Sequence, residues 1–285
     1  MQPKLGAHLS IAGGYTNPLN SIRDKGGNCL QIFSSSPRGW HFAKPTPQQI
    51  KDFFELKKTI KIDPVYFHAS YLINLANNDR VGQLSKQSLR HELNIASRLG
   101  VKGSIVHLGS FKDSAKEYTA IVANIQEILA ATPQNTLFMI ENAGNNKIGK
   151  TIEEIALIKK AVDDPRLKIC LDTCHLYSSG YDLSTKAKLD SFLKSFDSLI
   201  GLKYLELFHF NDSRDAFGSG RDRHENIGKG TVPVSTFHLI MNHPKLKNLP
   251  FIIETPGFDG NGPDKKNLDI LKSLLSHLHP VTDTL

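Results

Sequence analysis

Short apolar runs alternate along this chain with longer stretches of helical period. The runs cover residues 5–9, 29–33, 65–67, 104–108, 137–140, 169–171, 205–210 and 251–253, and each is nearly continuous in apolar character. Continuity, rather than alternation, belongs to parallel strands covered on both faces. The stretches between them carry helix starts. Asn17-Pro18 and Thr46-Pro47 each place a capping residue before a proline at the first helical position. Thr151-Ile152-Glu153-Glu154 reads as a capping box, with Ile155, Ile158 and Val162 following on one face. Leu268, Leu271, Leu274, Leu275 and Leu278 then recur at helical spacing. Eight strand-helix units predict an α/β chain closed into a (β/α)8 TIM barrel; an open doubly wound sheet is the competing architecture. No internal repeat, low-complexity tract or linker interrupts the pattern, so residues 1–285 read as a single domain.

Composition changes this picture little. The 285 residues hold 39% hydrophobic and 22% charged residues, an ordinary globular balance that excludes wholesale disorder. Lys+Arg number 35 against 28 Asp+Glu, a formal charge of +7. That excess suits an anionic partner such as nucleic acid, but it is also common on proteins that bind none. Three cysteines, Cys29, Cys170 and Cys174, cannot form a paired disulfide framework and point to a reducing compartment. No apolar run approaches the ~18 residues of a membrane span, and polar residues follow Met1 too soon for a signal-peptide core. A cytoplasmic protein without membrane association is expected.

The chemistry lies in what ends each strand. Val-Tyr-Phe ends in His68, Ser-Ile-Val in His107, Leu-Phe-Met-Ile in Glu141 and Phe-Ile-Ile in Glu254. Ile-Cys-Leu runs into Asp172, with His175 three residues on, and Leu-Phe runs into His209. All strand C-termini of a barrel open on one face, so six strands deliver imidazole or carboxylate to one mouth. A single His or Asp at a strand end is more often a loop hydrogen-bonder than a ligand. Six together are different, because burying such charges without partners costs several kcal/mol each. Divalent metal ions remove that cost, since neutral imidazole and carboxylate are ligands that zinc accepts.

Asp222 and His224 are two apart, so in an extended loop both point to one side, and with His175 they could complete a further N/O site. The nine candidates His68, His107, Glu141, Asp172, His175, His209, Asp222, His224 and Glu254 are too many for one ion and suit two or three with open positions. A metal pair ~3.5–4 Å apart can ionise a water and stabilise both oxygens of an in-line displacement at phosphorus.

The chain also resembles a known family, the endonuclease IV family of apurinic/apyrimidinic (AP) endonucleases. The similarity runs through Gly6-Ala7-His8-Leu9-Ser10, His68-Ala69-Ser70-Tyr71-Leu72-Ile73-Asn74-Leu75, His107-Leu108-Gly109-Ser110 and Ile140-Glu141-Asn142. It continues through Leu171-Asp172-Thr173-Cys174-His175, His209-Phe210-Asn211-Asp212, Asp222-Arg223-His224, Gly228-Lys229-Gly230 and Ile253-Glu254-Thr255-Pro256. The resemblance implies three Zn2+ per chain, or another divalent ion such as Mn2+ at one site. His68, His107 and Glu141 would hold the first. Glu141 would bridge to a second completed by Asp172, His209 and Glu254, and His175, Asp222 and His224 would hold the third. It further implies hydrolysis of the phosphodiester 5′ to abasic sites in duplex DNA, with trimming of blocked 3′ ends, and catalytic roles for Glu141 and Glu254 in orienting the nucleophile. Arg38 and Tyr71 resemble family residues that enter the duplex at the lesion, where an aromatic ring and a guanidinium replace lost stacking. The loop around Arg38 departs from the better-known relatives at Ser36, Pro37 and Gly39, where they carry bulkier amides.

Other readings give particular residues different work. Cys174 reads as a small buried thiol rather than a ligand, and Trp40 as either a base-stacking ring or packing for the second βα loop. His8 lines the mouth without an assigned metal, and His277 and His279 read as surface residues. A metal-dependent sugar isomerase or epimerase on the same barrel is the alternative enzyme, with no evident task for the third site. A zinc-stabilised module that binds damaged DNA without cutting it is the other. Closed structural zinc is normally cysteine-rich, which argues against it. A monomer with no obligate protein partner is expected.

Overall fold

A computed structural model of the chain describes residues 3–111 and 117–275. In chain order the strands are β1 (Lys4–Leu9), β2 (Cys29–Phe33), β3 (Val65–His68), β4 (Gly103–Val106), β5 (Leu137–Glu141), β6 (Leu167–Asp172) and β7 (Leu205–His209). A short hairpin, β8 (Asp212–Ser213) and β9 (His224–Glu225), precedes β10 (Pro250–Ile253). The first seven strands and β10 close into a parallel barrel in the order β1-β10-β7-β6-β5-β4-β3-β2, which excludes the open sheet. Among the described residues, no helix is long and apolar enough to cross a membrane.

The helices are α1 (Thr16–Asp24), α2 (Pro47–Thr59), α3 (Arg80–Leu99), α4 (Thr119–Ala130), α5 (Ile152–Val162), α6 (Thr173–Ser178), α7 (Lys186–Leu199), α8 (Val234–Asn242) and α9 (Lys265–Ser273). Two of the three helix starts read from sequence need correction. Thr46 caps α2 in a full capping box with Gln49. Thr151 caps α5 by accepting from Glu154 N at 3.2 Å, but the Glu154 carboxylate turns back to Gly149 N and Lys150 N, so the box is half made. Asn17 is not a cap: α1 begins at Thr16, and the Asn17 amide donates to Ala12 O at 3.1 Å. Pro18 tolerates this because its missing N–H falls in the first turn. Leu268 and Leu271 bury the inner face of α9; Leu278, His277 and His279 lie outside the described residues.

Two apolar regions hold the barrel. The larger lies between strands and helices, where Leu30, Ile32, Phe67, Ile140 and Ile253 meet the buried faces of α1 to α9. The smaller is the barrel interior, made by Cys29, Tyr66, Ile105, Met139, Cys170, Leu207 and Ile252, one residue from each of seven strands. The eighth strand contributes Gly6, paired between Cys29 and Ile252. A Cβ there would sit 2.2 Å from Cys29 O, so only glycine lets β1 and β2 approach this closely. Side chains two apart on a strand share a face, so the residue two positions beyond each member of this plug also faces the barrel axis, one layer higher.

Candidate metal centre

That higher layer is His8, Gln31, His68, His107, Glu141, Asp172, His209 and Glu254, one from each barrel strand or the residue that follows it. Each stands two residues after Gly6, Cys29, Tyr66, Ile105, Met139, Cys170, Leu207 and Ile252 respectively. Strand alternation therefore turns six of the nine candidates inward at one height.

Glu141 is the hub and is fully buried. Its Oε2 lies 3.1 Å from His68 Nε2 and 3.2 Å from His107 Nε2, while its Oε1 lies 2.9 Å from His209 Nδ1. His209 Nδ1 also faces Glu254 Oε2 at 3.5 Å and Asp172 Oδ2 at 4.0 Å. Asp172 ends β6 and caps α6 directly, accepting from His175 N at 3.0 Å. The strand thus passes into the helix without a loop, which sets His175 beside Asp172. His175 Nε2 then meets Asp222 Oδ1 at 2.9 Å and His224 Nε2 at 3.3 Å. His224 Nε2 stands 3.5 Å from Asp222 Oδ1.

The segment carrying Asp222 and His224 is held by Asp212, a buried carboxylate that accepts from Ser213 N, Gly228 N, Gly230 N and Val232 N. Asn211 donates to Asp172 Oδ2 at 2.6 Å and accepts from Glu254 N at 2.7 Å. Asn142 accepts from Asp172 N at 2.6 Å.

The electrostatics of so many ionisable groups are mutual. Burial alone would raise the carboxyls of Glu141 and Glu254, but the surrounding imidazoles hold both well below the usual carboxylate range. Asp222 is likewise held down against burial by His175 and His224. Burial together with His175 and His68 outweighs Glu141 and lowers His107 to about 4, so it is a neutral imidazole with a free lone pair. His175 goes the other way: burial opposes its charge, yet Asp172 and Asp222 raise it to about 10.

These residues fit divalent metal ions. The ligand atoms of His68, His107 and Glu141, of Glu141, Asp172, His209 and Glu254, and of His175, Asp222 and His224 each lie within 4.8 Å of one another. Every donor is imidazole nitrogen or carboxylate oxygen, a set zinc accepts. His107 Nδ1, His8 Nε2 and Asn142 Nδ2 are buried without a hydrogen-bond partner, so hydrogen bonding alone does not satisfy the cluster. Cys174 also falls near Asp172 and His224. Burial pushes its thiol up, and its Sγ donates to Arg223 O at 3.8 Å, in keeping with a protonated thiol.

A cavity of about 320 Å³ opens above the cluster, rimmed by Phe33, Tyr71, Thr255 and Pro263. Tyr71 is 66% exposed and packs edge-on against Phe33 with ring centroids 5.5 Å apart. Arg38 is exposed on a turn whose Pro37 O accepts from Ser70 Oγ at 2.6 Å, so the two DNA-facing candidates share one rim. Trp40 is half-buried and packs against the core. The residue that sequence reasoning passed over is Gln31, fully buried among the ligands. Its signal was a lone amide inside the apolar run Cys29–Phe33.

A parallel eight-stranded barrel with such a mouth defines a metal-dependent TIM-barrel class, and the family model described as "Xylose isomerase-like TIM barrel" matches residues 19–275. Within it, the probable endonuclease 4 of Thermosipho africanus is 39% identical over 285 aligned positions, covering 95% of this chain and 98% of that protein. The apurinic-apyrimidinic endonuclease 1 of Plasmodium falciparum is 36% identical over 261, covering 88% of this chain and 44% of the longer relative. The crystal structure of endonuclease IV from Thermus thermophilus superposes with a TM-score of 0.86 at 31% identity, covering 96% of this chain and all of that one. The chain belongs to the endonuclease IV family.

Proposed function

We propose that this chain is a zinc-dependent AP endonuclease of DNA repair, hydrolysing the phosphodiester 5′ to an abasic site in duplex DNA and trimming blocked 3′ ends. The observation that carries the reading is the convergence of nine imidazoles and carboxylates into three adjoining groups at one barrel mouth. His68, His107 and Glu141 would hold one ion, and Glu141, Asp172, His209 and Glu254 a second. His175, Asp222 and His224 would hold a third. Zinc would occupy all three sites, with another divalent ion such as Mn2+ the alternative at one. When bound, the ions supply Lewis acidity, neutralise phosphate charge and lower the pKa of a water.

The protein's own groups do the positioning. Glu254 keeps Oε1 on His8 Nδ1 at 3.0 Å and turns Oε2 inward, and Glu141 lies in the same layer, so two fixed carboxylates flank the place where an attacking water is oriented. In-line attack at phosphorus forms one P–O bond and breaks the bond to the 3′-oxygen, leaving a 3′-hydroxyl and a 5′-deoxyribose phosphate. Arg38 and Tyr71, on the rim, fill the gap left by the extruded sugar; a damaged stack costs least to open. The chain works as a single-domain monomer on this reading.

The test is incision of a duplex bearing one tetrahydrofuran abasic analogue by zinc-loaded and metal-stripped protein. The analogue cannot undergo β-elimination, so a metal-dependent cut 5′ to it with an extendable 3′-hydroxyl supports hydrolysis. No cut by metal-replete protein removes the reading and redirects it to a sugar isomerase. Binding is also expected to weaken steeply with salt as phosphate contacts release counterions.

A further inference from the structure

Seven of the eight residues in the strand-end layer are imidazoles or carboxylates; the eighth, Gln31 on β2, is an amide. It is fully buried, where an amide left unpaired is strongly disfavoured. All of its polarity is spent on the metal centre. Oε1 lies 2.7 Å from His209 Nε2, and Nε2 reaches Glu254 Oε1 and stands 2.8 Å from His8 Nδ1.

We propose that Gln31 is the positioning residue of this centre, fixing the tautomer of His209 and the rotation of the Glu254 carboxylate at once. An amide oxygen only accepts, so His209 Nε2 must carry a hydrogen, which leaves Nδ1 as the nitrogen that would bind a metal. That nitrogen faces Glu141 Oε1 at 2.9 Å and Glu254 Oε2 at 3.5 Å. The amide N–H takes Glu254 Oε1, an oxygen that His8 also holds at 3.0 Å, so Oε2 is the one left to face the ligand group. A carboxylate at position 31 could accept from His209 but would repel Glu254, and an aliphatic side chain would pair with neither. Outer partners of this kind set ring orientation and ligand basicity, and losing one typically costs 10–100-fold in metal affinity.

The inference rests on the reading that His209 and Glu254 hold a metal, and its test separates the two. Wild-type protein and Gln31→Leu are loaded with zinc, challenged with graded chelator and assayed for retained zinc; Gln31→Met replaces the leucine variant if that one does not fold. Thermal unfolding of each protein, stripped and loaded, runs alongside. The expected result is that the variant gives up one equivalent of zinc at about 10–100-fold lower chelator strength while the rest is held as in wild type. Its zinc-induced rise in Tm is then smaller than that of wild type, because only binding to the folded state contributes to that rise. Superimposable chelator profiles overturn the proposal. So does an equal fall in Tm with and without zinc, which would mark Gln31 as packing only. A wild-type protein that retains no zinc overturns the metal reading itself, and this inference with it.

Discussion

Two layers of the same barrel, two residues apart on the same strands, make opposite use of burial. In the lower layer Cys29, Tyr66, Ile105, Met139, Cys170, Leu207 and Ile252 fill the interior with apolar surface. Its one buried hydroxyl, on Tyr66, is satisfied by Glu206 at 2.9 Å. In the upper layer Glu141, Asp172, His209 and Gln31 are as fully buried, yet every one is polar. The lower layer is stable by itself. The upper layer is tolerable only because its charges face opposite ones, and within it His8 Nε2 and His107 Nδ1 remain unpaired. A packed floor shields the polar layer from below, so one strand supplies stability and chemistry in consecutive inward positions.

The largest effects should come from the upper layer. Glu141→Gln removes the carboxylate that two of the ligand groups share. Incision of abasic duplex is expected to fall at least about 10²–10³-fold, with bound metal reduced and the far-ultraviolet circular dichroism unchanged; unchanged single-turnover rates would separate the layer from function. Glu254→Gln should abolish cleavage to a similar extent while abasic DNA still binds in a gel-shift assay.

Met139→Ala probes the lower layer, and a cavity there should cost about 2–5 kcal/mol in a denaturant titration. Metal content and activity per folded molecule should hold, and a loss of metal would show that the layers are not separable. On the rim, Arg38→Ala is expected to reduce the preference for abasic over intact duplex about tenfold, or about 1.4 kcal/mol. Hydrolysis of a small phosphate ester should be untouched, which a competition assay and a chromogenic ester would check.

The smallest effect lies away from both layers. Lys188 and Ser184 lower the Asp182 carboxyl to about 2, below an unfolded value of about 3.9. Its contribution is therefore complete above about pH 4 and is lost as pH falls through about 2. Asp182→Asn should flatten the loss of stability across that interval by no more than about 1 kcal/mol, because the pair is solvent-exposed. Acid titration of Tm would detect a larger change, which would mean the pair does more than its exposure permits.

Much of this arrangement was legible along the chain because strands and caps are local. The apolar runs marked all eight barrel strands, and four of the polar ends, His68, Glu141, Asp172 and His209, proved to be the last residues of their strands. Thr46 announced α2 correctly, since the capping box closes within four residues. Asn17 misled, because a capping residue before a proline suits more than one backbone path, and here the asparagine served the preceding turn. Gln31 gave only the faint signal of an amide among apolar neighbours, for its partners His209 and Glu254 are 178 and 223 residues away.

What the sequence by itself determined was the set of parts: eight buried strands, the helices between them, and an imidazole or carboxylate delivered to the end of six strands. Those follow from periodicity and from the cost of burying polar groups, both read from neighbours along the chain. Only the tertiary structure decided how the parts combine: that the sheet closes, that alternation sets the polar ends at one height, and that a single amide joins His209 to Glu254. Such pairings depend on the stagger of a closed barrel, which brings distant strands together at distances that no local pattern encodes.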